Sequence, residues 1–172
     1  MLLTMKQRYV VNVLNKLGSL RRDQLYLLTR DHFKTEDFTL SANQMDGLLR
    51  QLPFLVNELR VENGVVRISS FEPEPLRLEA IDVMLELSNG YPIYFTAVRD
   101  SSILLRFSLG CDPPRQYAVA DYSVKVAALE TAKNIVWISD KRLQPESLAL
   151  ARQQFYAQRQ EDGSHRFYGA NK

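Results

Sequence analysis

Cysteine is almost missing from this chain. Cys111 stands alone among 172 residues, so no internal disulfide can form and a reducing compartment is expected. Histidine is nearly as scarce: His32 and His165 lie far apart and, with one thiol, offer none of the short spacings of a zinc site. The seven glycines are dispersed and make neither GxGxxG nor a Walker loop, so no glycine-rich phosphate cradle is present. No cofactor and no structural metal are therefore expected. Long apolar runs are lacking as well. Asn12, Asn15 and Lys16 interrupt the most apolar opening stretch, well short of the roughly 18 residues that a membrane helix needs. Met1 to Met5 has neither the basic flank nor the apolar run of about 7 to 15 residues of a signal peptide. A cytoplasmic protein with no membrane partner is expected.

What is present reads as globular. The 45% hydrophobic and 24% charged residues match the averages of about 45 to 50% and about 25% for packed domains, so disorder is not expected. The net charge of +2 is unevenly placed: residues 1–70 hold ten basic and seven acidic side chains, a net of +3, and the remainder is −1. That asymmetry has the sign of a nucleic-acid-binding N-terminal module, although it falls well below the strongly basic face such proteins usually show.

Helical periodicity starts at Thr4, where Gln7 three residues on makes a capping-box pattern ahead of Tyr9, Val10, Val13, Leu14 and Leu17, and Gly18 ends the run. Arg22 to Arg30, with Leu25, Leu27 and Leu28, predicts a second, shorter helix. Ser41 and Gln44 repeat the capping box before Met45, Leu48, Leu49 and Leu52, and Pro53 is expected to stop this third helix. Next come two β-prone runs, Leu55 to Val61 and Val65 to Ser69, joined through Glu62, Asn63 and Gly64. Asn-Gly fits the two positive-φ positions of a type I′ turn, so a hairpin is predicted. Three helices and a hairpin predict a winged helix-turn-helix over 1–70, whose third helix can enter a major groove while the hairpin reaches the flanking backbone.

Two prolines within 71–75 mark a linker. Beyond it, 76–172 predicts an α/β module in the order αβββαβα. A helix runs from Pro75 to about Ser88, then strands cover Tyr91–Val98, Ile103–Leu109 and Gln116–Ala120 as an antiparallel meander. A helix over Ser123–Lys133, a strand over Ile135–Ser139 and a last helix over Pro145–Arg159 follow. The polar tail from Gln160 is expected to fray, with Phe167 and Tyr168 tacking it down. The fold class expected is thus α+β.

Both modules carry residues that bear on chemistry. The third helix offers Asn43, Gln44, Arg50 and Gln51, residue types that can make bidentate contacts to base edges. Arg60 and Arg67 on the hairpin arms suit phosphate contacts, which add affinity without sequence preference. Against them stand Asp46 and Gly47 at the helix centre and the ordinary solvated face that such residues also make. The αβββαβ order is that of restriction-endonuclease-like nucleases, which need an acid at the second strand and an acid-x-Lys triplet on the third to hold a divalent cation. Here the third strand reads Gln116-Tyr117-Ala118-Val119-Ala120-Asp121, and no lysine lies two positions after an acid. Asp100, Asp112 and Asp121 read as turn formers and caps. Cys111 sits in a turn with no activating histidine. Tyr91, Tyr94, Phe95, Tyr117 and Tyr122 could stack bases, though at strand spacing they read first as core. No enzyme activity is expected.

The pattern of Lys6 to Leu17, Leu20 to Leu28, the Leu48-Leu49 helix and the Asn63-Gly64 wing, followed by αβββαβ, resembles the replication-relaxation family of bacterial plasmids and conjugative elements. The match covers nearly the whole chain in element order, with loose motifs. It implies a winged helix joined to a nuclease-like domain and a role in mobile-element replication or transfer. Gly110-Cys111-Asp112-Pro113 and Ala120-Asp121 match that family's acidic signature only in part, so the second domain is expected to be degenerate. The function expected is a non-enzymatic DNA-binding accessory or regulatory protein, whose second module binds a protein partner or mediates self-association. The alternatives are an adaptor that docks or dimerises through the winged helix and, more remotely, a divergent metal-dependent nuclease.

Overall fold

The computed structural model describes residues 2–96, 103–123, 134–140 and 153–169. Over these residues the chain is α+β, with four helices and two sheets. None of the helices described is long and apolar enough to cross a membrane. The chain divides into two compact units, Met1–Leu78 and Glu79–Lys172.

In the first unit the order is α1 (Met5–Leu17), β1 (Ser19–Arg21), α2 (Arg22–Phe33), α3 (Ala42–Leu55), β2 (Leu59–Glu62) and β3 (Val65–Ile68). Local chemistry sets most of the boundaries. Thr4 and Ser41 both close capping boxes: each hydroxyl accepts the backbone N–H of the glutamine three residues on, and that glutamine's Oε1 accepts the cap's own N–H at 2.9 Å. Asn63 (φ 51) and Gly64 (φ 76) make the tight turn of the hairpin, which pairs Glu62 with Val65 and Leu59 with Ile68. Inside lie Val10, Val13, Leu14, Leu20, Leu25, Leu49, Leu52, Leu59 and Val66, all nearly or fully buried.

Two findings differ from the sequence reading of this unit. Ser19–Arg21 is a third strand, pairing Leu20 with Val66, so the sheet runs β1-β3-β2, antiparallel throughout. Three residues carry too short a pattern to read as a strand until β3 lies beside them. Pro53 does not stop α3, which continues to Leu55, so the first arm of the hairpin starts at Leu59 and not at Leu55. A proline in the last turn removes one i to i−4 bond, and the helix end is still satisfied by Val56 N–H donating to Leu52 O at 2.8 Å.

Gly18 joins α1 to β1 with φ +81, and a Cβ there would meet the Phe71 ring at 2.7 Å. Its N–H donates to Leu14 O at 2.7 Å. Gly18→Ala is expected to lower the stability of this unit by about 1 to 3 kcal/mol, because both the backbone conformation and the ring contact resist a side chain. Thermal melts of wild type and variant check this, and equal midpoints would show that neither the backbone conformation nor the Phe71 contact resists a side chain.

The divide between the units falls within α4 (Pro75–Ser88). Its beginning belongs with the first unit, where fully buried Gln24 donates from Nε2 to Leu78 O at 2.6 Å. The rest of α4 belongs to the second unit. There β4 (Ile93–Thr96), β5 (Leu105–Leu109), β6 (Arg115–Asp121), β7 (Asn134–Ser139), β8 (Gln153–Arg159) and β9 (His165–Gly169) form one sheet in chain order. The first three are antiparallel, as expected for a meander; β6-β7 and β7-β8 are parallel, and β8-β9 is antiparallel.

The expected αβββαβα order is corrected at its end. Gln153–Arg159 is a strand and not the end of a helix, and His165–Gly169 is a sixth strand and not a frayed tail. Gln, Ala and Arg give 153–159 a helix-tolerant composition, but pairing with β7 on one side and β9 on the other overrides local preference. The helix expected over Ser123–Lys133 falls, from 124 on, outside the described residues, as does 145–152 of the last helix.

One sheet face builds a core from Ile103, Ala118, Ala120, Ile135, Trp137 and Tyr156, with Tyr122 and Tyr168 against it. The Trp137 indole N–H donates to Gln154 Oε1 at 3.1 Å, so the largest buried side chain also has its polar atom satisfied.

Candidate nucleic-acid interface

The outer side of α3 is laid out by its own periodicity. Asn43, Gly47, Arg50 and Phe54 fall in one stripe at helical spacing, with Gln44 and Gln51 on one flank and Asp46 on the other. Met45, Leu49 and Leu52 point inward and are buried, which fixes the stripe outward. Asn43, Gln44, Arg50 and Gln51 are all exposed. Gln44 spends its carbonyl oxygen on the Ser41 cap, and Gln51 Oε1 accepts from Gln7 of α1 at 3.3 Å. Arg50 Nε donates to Asp46 O at 3.3 Å. Nothing lies within 4 Å of where a Gly47 side chain would begin, so the stripe is open at its middle.

Asp46 is the only acid in α3, and it pairs with Arg22 at the start of α2. The pair stands at the wall of a groove of about 540 Å³ that Arg50, Leu49, Pro53 and the β2 residue Val61 also line. The carboxylate that the sequence set against phosphate binding is thus partly neutralised by a guanidinium, and the groove keeps the Arg50 charge.

The two hairpin arginines sit directly opposite each other across the β2-β3 ladder. Like charges in that position repel. Arg67 is held by acids: its guanidinium contacts Glu62 at 3.4 Å and Glu72 at 3.3 Å and also donates to Ser69 O and Phe71 O. It is turned to the inside of the hairpin network, with its side chain 18% exposed. Arg60 instead bonds to the nearby carbonyls of Asn57 and Leu59 and is exposed. Of the two, Arg60 has the freer charge.

In the second unit Asp100, Asp112 and Asp121 do not form a described cluster. Asp112 precedes β6 and Asp121 ends it, a separation of about 20 Å along a strand of this length; Asp100 lies outside the described residues. Another constellation forms instead. Glu79 and Glu86, seven residues apart on one face of α4, hold the His165 ring from both sides, with Nε2 to Glu79 Oε1 at 3.0 Å and Nδ1 to Glu86 Oε1 at 2.9 Å. Arg159 of β8 also pairs with Glu79, and it reaches Asp140 at 2.6 Å.

Burial pushes the Glu79 carboxyl up, but hydrogen bonds from His165 and then Arg159 outweigh it and hold its pKa below the usual range. Burial pushes His165 down, and its hydrogen bonds to Glu79 and then Glu86 outweigh that, raising it. The chemistry is that of a charge-compensated clamp between α4 and the β8-β9 edge. The spacing of Glu79 and Glu86 was readable in the sequence, but His165 was not, because it sits 79 residues beyond Glu86.

The Tyr9 ring stacks on His32 with centroids 4.0 Å apart, and Phe33 meets both edge-on. Burial, helped by the charge of Asp31, pushes the Tyr9 hydroxyl up to about 12. In comparisons with known proteins the chain matches no family model, no curated protein and no solved structure.

Proposed function

We propose that residues 1–78 form a winged helix that binds duplex DNA through the outer stripe of α3, with Arg60 of the hairpin on the flanking phosphates. The observation that carries this reading is the outward stripe of Asn43, Gly47 and Arg50, flanked by Gln51, on a helix whose one acid is paired with Arg22. The order α1-β1-α2-α3-β2-β3 with a β1-β3-β2 sheet supports it, since this is how a winged helix brings a reading helix and a hairpin to one side. Asn43 suits an adenine edge and Arg50 a guanine edge or a phosphate. Glycine at the centre of the stripe permits close approach. The protein then acts as a non-enzymatic accessory or regulatory factor, and the resemblance to the replication-relaxation family would place it in plasmid or conjugative-element replication or transfer.

Duplex affinity measured by fluorescence anisotropy across a salt series tests the reading. Removing one phosphate-binding cation should reduce the slope of log affinity against log salt by about 0.9. Arg60→Ala should show that reduction, as should Arg50→Ala if it meets a phosphate; Asn43→Ala should weaken binding by about 1 to 3 kcal/mol at one slope. Absence of duplex binding at low salt removes the proposal, and unchanged slopes in both arginine variants remove the contacts assigned.

A second reading rests on Phe54, which is 87% exposed at the end of the same stripe, and on Val61 of β2, which is 40% exposed and lines the groove at α3. Exposed apolar side chains of this kind suit docking or dimerisation. Under this second reading wild type self-associates in sedimentation and Phe54→Ser is monomeric; a monomeric wild type removes it.

A further inference from the structure

The β4-β5-β6 end of the second sheet carries polar side chains that duplex binding by α3 does not use. The register pairs Tyr94 with Ser108, Thr96 with Arg106 and Ser108 with Gln116. Directly paired residues share a face, so Tyr94, Thr96, Arg106, Ser108 and Gln116 stand together on one side of the sheet. Phe95, Phe107 and Tyr117 alternate to the other side and are buried. A concavity of about 260 Å³ is lined by these five polar residues among others. It is smaller than a drug-sized pocket, which begins at about 300 Å³, and suits one small unit.

Arg106 is the decisive residue. Its Nε is buried and has no hydrogen-bond partner among the described residues. A buried guanidinium N–H without an acceptor is costly, and the fork geometry of arginine is matched best by a phosphate or carboxylate. Beside it, Tyr94 presents a ring 64% exposed, although large aromatic rings gain from being covered. Gly110 lets that ring lie close, since a Cβ there would come within 3.1 Å of Tyr94 Cε2. Gln116 supplies an amide that can both donate and accept, and Ser108 and Thr96 supply hydroxyls.

We infer that this concavity binds one nucleotide unit, with its phosphate on Arg106, its base stacked on Tyr94 and its base edge or sugar hydroxyl on Gln116. An anion alone would leave the tyrosine ring without a role, and a flat neutral ring would leave Arg106 without an acceptor. The nucleotide can arrive as a free monophosphate or as one unit of a single strand, because sheet surfaces with aromatic and arginine side chains accept either.

Calorimetric titration of the full chain with thymidine 5′-monophosphate, with a six-nucleotide thymidine single strand and with inorganic phosphate tests this. The expected result is saturable binding of the monophosphate that weakens at least about tenfold, or about 1.4 kcal/mol, in Arg106→Gln and in Tyr94→Ala. Much tighter binding of the strand, weakened equally in both variants, identifies the strand as the source; equal affinity per site identifies the free nucleotide. Inorganic phosphate binding as tightly as the nucleotide overturns the stacking assignment. No nucleotide binding, or equal binding by wild type and both variants, overturns the site. Tyr94 is exposed, so Tyr94→Ala keeps the fold if Arg106→Gln does not, and Trp137 emission reports which of them is folded.

Discussion

Glu79→Ala will destabilise the second unit by about 3 kcal/mol, the low end of the range of about 3 to 5 for removing one partner from a buried ion pair. The low end applies because Arg159 is 42% exposed and can turn to water, whereas the His165 side chain is 1% exposed and cannot. The same clamp makes stability depend on pH. His165 has a raised pKa in the folded state, so its contribution is complete below the ordinary histidine value of about 6.5 and fades as pH rises through the folded value. Glu79 has a lowered pKa, so its contribution is present above about 4.5 and fades as pH falls through the folded value. The clamp therefore contributes most between about pH 4.5 and 6.5, and stability declines on the alkaline side. Urea titrations from about pH 5 to 9 on wild type and His165→Gln read this out: the variant should lack the alkaline decline. A flat wild-type profile across neutral pH would show that His165 is already neutral in the fold.

Trp137→Ala should have an effect of similar or larger size, about 3 to 5 kcal/mol, because it empties the largest fully buried site of the sheet core. It also leaves Gln154 Oε1 without its indole donor, and an unpaired buried acceptor adds to the cost of the cavity. Trp137→Phe isolates the two contributions, since it keeps much of the ring volume and removes the N–H. Trp137 is the one tryptophan in the chain, so its emission follows the second unit alone, while far-ultraviolet circular dichroism follows both. In wild type, separate transitions by the two probes would mean that the units unfold independently; coincident transitions would mean that α4, shared between them, couples them. If Trp137→Ala unfolds at the wild-type denaturant midpoint, the packing assigned to that core is wrong.

For duplex binding, the arrangement around α3 changes how the candidate residues rank. The sequence placed Asn43, Gln44, Arg50, Gln51, Arg60 and Arg67 on equal footing. Hydrogen bonding separates them: Gln44 serves the helix cap, Gln51 receives a bond from Gln7, and Arg67 is held by Glu62 and Glu72. Asn43, Arg50 and Arg60 remain the best placed for an outside partner. Such a ranking is invisible in sequence, since the residue types stay the same and only their partners differ.

The sequence by itself determined the features whose causes lie within a few residues of each other. Thr4 with Gln7 and Ser41 with Gln44 start helices because a side chain three residues on is within reach of the cap whatever the rest of the chain does. Asn63-Gly64 turns the hairpin because its positive φ values suit few other pairs. Strands β4 to β7 were legible from runs of β-branched and aromatic residues. The tertiary structure decided what depends on a distant neighbour. Ser19–Arg21 becomes a strand only because β3 comes alongside, 46 residues later at the Leu20-Val66 pair. Gln153–Arg159 becomes a strand because β7 and β9 offer ladders on both sides. Glu79, Glu86, Arg159 and His165 become one clamp because α4 meets the β8-β9 edge. Caps and turns are local energies and can be read locally; strand partners and buried ion pairs are energies between segments, present only once the segments have met.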